Sequence, residues 1–193
     1  MHLPDSPAAQ TILGRPVEKN PASDQVFSQI HSWLDDCIDN HRRCADIVDA
    51  AVPLPTRILD VGTLSSDTIC LRDSDTKSES CGRYIALSHC WGTEKALVTT
   101  SKSLANRKQG IPVNSMPQTF RDAVLITRRL GLRYIWIDSV CIVQDDAEDW
   151  KREARTLGLV YKKAYLTISA SVSPGDHEGF LTQNPEVKMD VTL

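Results

Sequence analysis

The chain has no apolar run of about 18 residues or more, so it offers no membrane-spanning helix. Its first residues, MHLPDSPAAQTILGRPVEKN, lack the apolar centre of a secretory leader. Positive charge is not in surplus: 22 basic residues stand against 25 acidic ones, a net charge of −3. A nucleic-acid partner held by a broad basic surface is therefore not expected. Secreted-scaffold cysteine spacing is missing as well. Cys37, Cys44, Cys70, Cys81, Cys90 and Cys141 are scattered, and read as free thiols in a reducing compartment. There are no internal repeats and no long low-complexity run. These absences predict a cytoplasmic protein.

What the chain does contain is the makeup of one globular domain. Its 193 residues are 41% apolar and 24% charged, enough to bury a sizeable core. Residues 1–22 hold four of the ten prolines and few large apolar side chains, and are predicted as a flexible arm. Residues 24–44 are predicted as a helix. Val26, Ile30, Trp33, Cys37, His41 and Cys44 recur at a period of about 3.6 residues and form its core-facing stripe. Ser23 or Asp24 can cap its start. Pro53 and Pro55 then bar helix. TRILDV reads as a strand and TICLR as its hairpin partner. A polar surface loop follows at 73–82.

The strongest pattern lies between 83 and 170. RYIALS (83–88), RYIWID (133–138) and AYLTISA (164–170) are short apolar runs, hence buried strands. MPQTFRDAVLITRRL (116–130) is a helix between the first two. Pro117 suits its first turn, Phe120, Ala123, Val124, Thr127 and Leu130 share a face, and Gly131 ends it. A second helix starts at Asp145 or Asp146 and runs to about residue 163, with Trp150, Ala154, Leu157, Tyr161 and Ala164 as its apolar stripe. Strands and helices in alternation imply parallel pairing with helices on the sheet faces. The expected fold is α/β: a largely parallel sheet with flanking helices, plus an N-terminal helix and a β-hairpin. Right-handed crossovers bring the carboxyl ends of the three strands to one edge. Those ends are Ser88-His89-Cys90-Trp91-Gly92, Asp138-Ser139 and Ser169-Ala170. Ligands of such sheets bind outside the carboxyl ends.

Two of these segments, YIALSHCWG (84–92) and RYIWIDSVCIVQDDAEDWKREARTLGLVYKKAYLTISA (133–170), closely resemble the first two motif blocks of the fungal heterokaryon incompatibility (HET) domain. WLDDCIDNHRRC, LPTRILDV, MPQTFRDAV and the closing GFLTQ extend the resemblance over roughly residues 33–183. The chain then divides into an arm at 1–22, a HET domain at 23–183 and a tail at 184–193. Within the domain, helix and hairpin take 23–82 and the parallel core 83–170. The resemblance implies a role in fungal non-self recognition, where HET domains trigger programmed cell death after incompatible cells fuse. HET domains are also distantly similar to TIR domains, some of which cleave NAD at the nicotinamide bond. That similarity implies a TIR-like sheet and NAD as a substrate, with no cofactor required. The family's third block, resembling R-x-W-T-x-Q-E, is not found here: the chain closes with QNPEVKMDVTL, and no tryptophan lies beyond Trp150. It resembles the TIR segment that carries the catalytic glutamate, and neither Glu178 nor Glu186 has its surroundings. The expectation is a fragment, a truncated product or a degenerate member. A methionine of the family's second block is Leu157 here, a mild packing change.

Residue chemistry at the strand ends leaves roles open. Trp91 can stack on a base or nicotinamide ring, or cap the core. Gly92 can admit a ligand or simply make the turn. Asp138 can bind a ribose hydroxyl, orient His89, or answer a neighbouring loop. Asp145 and Asp146 are expected to cap a helix, and Gln144 to contact something polar. The ligand-binding candidates are thus Ser88, His89, Trp91, Gly92, Asp138, Ser139 and Gln144. Asp138 and Glu153 are the candidate catalytic acids, Glu153 against the commoner solvated helix glutamate. Cys141 with His89 and Asp138 offers a hydrolase, against a plain buried cysteine. His89 and Cys90 are adjacent in extended chain, so their side chains diverge. Cys37, His41 and Cys44 are metal-ligand types at i, i+4 and i+7. Their face is also the predicted core stripe, and no nearby CxxC or HxxxH supplies a fourth ligand, so no metal site is expected. Arg128, Arg129 and Arg133 can complement a helix end or meet a phosphate. Two function classes stand: an NAD-consuming enzyme, or a non-catalytic module that associates with itself or with other protein domains.

Overall fold

The computed structural model describes residues 18–42, 44, 52–74, 81–93 and 97–182. Most of the arm at 1–22, most of the loop at 73–82, Glu186 and the tail at 184–193 lie outside the described residues.

Helix α1 spans Asp24–Asn40, and the Ser23 hydroxyl caps it by accepting from the Val26 N–H at 3.3 Å. Its inner face is Phe27, Ile30 and Leu34. The predicted stripe is therefore off: Trp33 is 58% exposed and His41 is exposed. The helix lies at the surface, where Arg129 sits 4.0 Å over the Phe27 ring and donates to the Ala22 carbonyl at 2.6 Å. A narrow apolar contact is enough to seat it there.

Six strands form one sheet: β1 (Arg57–Asp60), β2 (Thr68–Asp73), β3 (Tyr84–Ser88), β4 (Ile111–Pro112), β5 (Tyr134–Trp136) and β6 (Leu166–Ser169). Their order is β4-β2-β1-β5-β3-β6. The predicted hairpin is β1 with β2. The predicted parallel core is present, with β3 between β5 and β6. The sheet as a whole is mixed rather than largely parallel, because β1 pairs antiparallel with β5 and the hairpin continues the same sheet. The reason is visible in β1, where all four residues are buried. The backbone groups of a buried strand need hydrogen-bond partners on both edges, and β2 and β5 supply them. Helix α2 (Leu104–Gln109) and the two-residue β4 have patterns too short to read in advance.

Helices α3 (Gln118–Arg129), α4 (Asp138–Cys141) and α5 (Ala147–Lys163) belong to the crossovers. Gly131, at φ +71°, ends α3 as predicted. Asp146 caps α5, accepting from the N–H groups of Glu148 and Asp149 at 2.9 and 3.1 Å. Asp145 caps nothing; it accepts from the Ser101 N–H and hydroxyl instead. The stripe of α5 is also turned from the prediction. Trp150 is 54% exposed, whereas Asp149, Glu153 and Val160 are buried. Arg57 of β1 draws the acids inward: it pairs with Asp149, lies 3.8 Å from Glu153, and donates Nε to the Cys141 carbonyl at 2.6 Å. No helix among the described residues is long and apolar enough to cross a membrane.

Candidate functional site

β3 and β5 end side by side, in a register that pairs Ala86 with Trp136. Ser88 lies exposed at this rim, and its carbonyl accepts from the Ala170 N–H at 2.9 Å. His89 then turns inward until its side chain is only 1% exposed, while Cys90 points out. The divergence expected of adjacent extended residues is what occurs. The imidazole stands edge-on to Phe120 of α3, with ring centroids 5.1 Å apart.

Two carboxylates flank that ring. Nε2 lies 3.2 Å from Asp176 Oδ1, and Nδ1 lies 4.0 Å from Asp138 Oδ1. Both are ion-pair distances, yet neither ring nitrogen meets hydrogen-bond geometry. Asp138 does not close the strand, as the sequence suggested; it is the first residue of α4. Its Oδ1 accepts from the Ser139 N–H at 2.6 Å and its Oδ2 from the Trp91 indole N–H at 3.1 Å. Burial raises its carboxyl above the ordinary range; His89, the Ser139 N–H and Trp91 partly offset this.

The other candidates gather around this pair. Gln144 donates its side-chain amide to the carbonyls of Asp138 and Ile142 at 3.2 and 3.1 Å. Ser139 is buried, and its hydroxyl has no hydrogen-bond partner. Gly92 has φ +73°, and a Cβ there would come within 3.1 Å of Gly175 Cα. Two backbones touch at that point, which is why a glycine stands there.

The segment from Ser173 to Leu181 closes the cluster, and sequence reasoning missed its role. Thr119 on α3 donates its N–H to the Asp176 carbonyl at 3.0 Å and its hydroxyl to the Gly175 carbonyl at 2.9 Å. Gly179 N–H returns to the Thr119 hydroxyl at 3.2 Å. Asp122 accepts from the N–H groups of Phe180 and Leu181 at 2.8 and 3.0 Å. MPQTFRDAV and the residues from Ser173 to Leu181, remote in sequence, are thus one clasp. Asp176 is the residue that was overlooked. Its signal was an acid between Pro174-Gly175 and Gly179, in a turn-rich stretch leading into GFLTQ.

Several candidates belong elsewhere. Glu153 is 3% exposed rather than solvated, and is held by Arg57 and by Arg152 Nε at 3.3 Å. Cys141 is buried, and burial pushes its thiol up to about 12, so it is no nucleophile at neutral pH. The Cys-His hydrolase loses its support with it. The basic cluster lies toward the opposite edge of the sheet, beside a cleft of about 620 Å³ lined by Asp60, Gly62, Arg128 and Arg133 among others. Arg128 donates to the carbonyls of Val61 and Ser66, both at 2.8 Å, and Arg133 grips Asp60. These side chains tie the hairpin end to α3 rather than offering a phosphate site.

Residues 84–191 match the family described as Heterokaryon incompatibility protein (HET). The match takes in every segment that meets at His89. No curated protein and no solved structure matches the chain.

Proposed function

The chain belongs to the heterokaryon incompatibility (HET) family, and from that premise we propose that it serves in fungal non-self recognition. It acts as a cytoplasmic domain that signals programmed cell death once incompatible cells have fused, and the strand-end cluster is its working centre. The observation that carries this reading is the sealed imidazole of His89 between Asp138 and Asp176. Buried ionisable groups outside hydrogen-bond geometry lower stability. Folds keep such arrangements mainly where they are used.

Asp138 supports a chemical version of the reading. Its side chain is 28% exposed, so it is the one acid of the pair that solvent reaches. The Trp91 indole is bonded to it. In this version NAD lies across the strand ends with its nicotinamide ring on Trp91, and Asp138 meets the ribose. Water replaces nicotinamide at the ribose carbon, giving nicotinamide, ADP-ribose and a proton. The other version is association without catalysis, and it draws on the closed rim: Gly92 rests on Gly175, and Gln144 is occupied internally.

The test is nicotinamide release by the full chain at high protein concentration, alongside its self-association and its effect on growth when expressed in a fungus. Release that falls about a hundredfold or more in both Trp91→Ala and Asp138→Ala supports the enzyme. Growth arrest and concentration-dependent association without release support the module. A folded chain that neither cleaves NAD, nor associates, nor arrests growth overturns the proposal.

A further inference from the structure

The end of α1 assembles three ligand-type side chains. Cys37, His41 and Cys44 each place a ligand atom within 4.8 Å of the others. Cys37 Sγ is 3.1 Å from Cys44 Sγ and 3.4 Å from His41 Nδ1. Backbone geometry brings them together. Cys37 and His41 are one turn apart on one helix face. The helix stops at His41, which adopts an extended conformation and donates its N–H to the Cys37 carbonyl at 3.1 Å. Cys44 N–H then returns to the His41 carbonyl at 2.8 Å, folding its thiol back onto the pair.

Core packing does not account for the trio. His41 is exposed, Trp33 one turn before Cys37 is 58% exposed, and α1 meets the core through Phe27, Ile30 and Leu34 instead. The local charge is mixed. The last turn of α1 carries no basic residue and Asp35, Asp36 and Asp39 stand exposed around it, while Arg42 and Arg43 lie in the chain between His41 and Cys44. The three ligand atoms, rather than the surrounding charge, make the site.

We propose that Cys37, His41 and Cys44 form a binding site for a thiophilic divalent cation, zinc being the best fit. Two thiolates and one imidazole fill three tetrahedral positions and leave the fourth to water or a further ligand. Zinc–sulfur bonds of about 2.3 Å set tetrahedral sulfurs about 3.8 Å apart, so the thiol pair opens slightly on binding. Both thiol protons pass to solvent. Because both thiols must lose a proton to bind, affinity grows as pH rises.

Cobalt titration of the reduced full chain reads the site directly. The expected result is one Co²⁺ per chain, with a thiolate-to-metal charge-transfer band and intense tetrahedral d–d bands, all displaced by Zn²⁺. Cys37→Ser and Cys44→Ser each weaken Zn²⁺ binding by more than the roughly 10–100-fold that loss of an outer-shell partner costs. His41→Ala weakens it and shifts the d–d bands. Cys81→Ser, an exposed thiol outside the trio, changes nothing. Far-UV circular dichroism of the variants checks that α1 is intact. A reduced, folded chain without the cobalt spectrum overturns the site. So does a spectrum that survives both serine variants, or a Cys37–Cys44 disulfide that persists under the reducing conditions of the assay.

Discussion

Arg57→Met is expected to lower the unfolding free energy by about 3–5 kcal/mol at pH 7, the cost of stranding a buried charge. The guanidinium is buried between β1 and α5, and its removal leaves Asp149 and Glu153 facing each other inside the protein. Arg152 remains on the solvent side of both, with its side chain 56% exposed. It is too well hydrated to replace a buried partner. The pH dependence identifies the mechanism. In the native chain burial tends to raise the Asp149 carboxyl, but the bond from Arg57 and the Val143 N–H hold it below its ordinary value. Its contribution is therefore present above the unfolded pKa and lost as pH falls through the depressed folded value. Without Arg57, burial prevails and the folded pKa rises above the unfolded one. The penalty in the variant is then full at neutral pH and fades on acidification. Urea midpoints should separate widely at pH 7, narrow toward about pH 4 as the variant's penalty fades, and close only below the depressed folded value of Asp149. Adding Glu153→Gln to Arg57→Met should restore part of the loss, a non-additivity that marks a shared network. A gap below about 1 kcal/mol, or one that does not narrow in acid, sinks this account of α5.

That buried network also explains what could and could not be read in advance. Period and apolar content marked α3 correctly, because Phe120, Ala123, Val124 and Thr127 of the predicted face are all buried, although Thr119 and Asp122 are buried beside them. The same rule turned α5 by about one position, because two of its three buried residues are acids. Apolar periodicity is blind to a face whose partner is an arginine on a distant strand. α1 failed for the opposite reason: Trp33 and the cysteines looked like a stripe, although the helix needs only a narrow seat. The parallel pairing of β3, β5 and β6 followed from chain order and their apolar runs, although β6, expected as a buried strand, lies at the sheet edge with only Ile168 buried. The β1–β5 seam did not follow, since a hairpin carries no mark of which sheet it will extend.

The site was half legible. Strand-end logic brought His89, Trp91, Gly92 and Asp138 to one edge, and they are together. It took Asp138 for a strand end because RYIWID runs on without a turn residue, although β5 stops at Trp136. It could not find Asp176. No local rule predicts that a loop more than thirty residues past Asp138 in the chain folds back to bury an imidazole. That contact depends on side-chain bonds from Thr119 and Asp122 to a backbone far away in sequence, and only the folded chain displays them.

Asp122→Ala tests that clasp, and its effect should be large. Phe180 and Leu181 both donate to Asp122 Oδ2, so the alanine leaves two N–H groups without their acceptor. Each buried unpaired group costs about 1–3 kcal/mol, so the segment either bears about 2–6 kcal/mol or lets go. Letting go is expected, because water can then take both donors. The same segment carries Asp176, so its release uncovers His89. Amide exchange at residues 179–181 should accelerate, and the His89 imidazole should become open to acylation by diethyl pyrocarbonate. His31 and His177 are exposed in the native chain and serve as reacting controls, so peptide mass spectrometry must locate the label. Gly179→Ala should give the same result by another route. Gly179 holds φ +71°, and a Cβ would fall 2.5 Å from Gln118 Cγ and 2.6 Å from Asp122 Oδ2. Glu178→Gln, next to it but exposed, should leave both readouts at the native level. If Asp122→Ala and Gly179→Ala melt at lower temperature while the His89 peptide stays unlabelled, the clasp is only a stability element. If labelling changes together with the growth arrest proposed for the chain, the loop from Ser173 to Leu181 controls access to the strand-end cluster, and MPQTFRDAV acts on it through that loop.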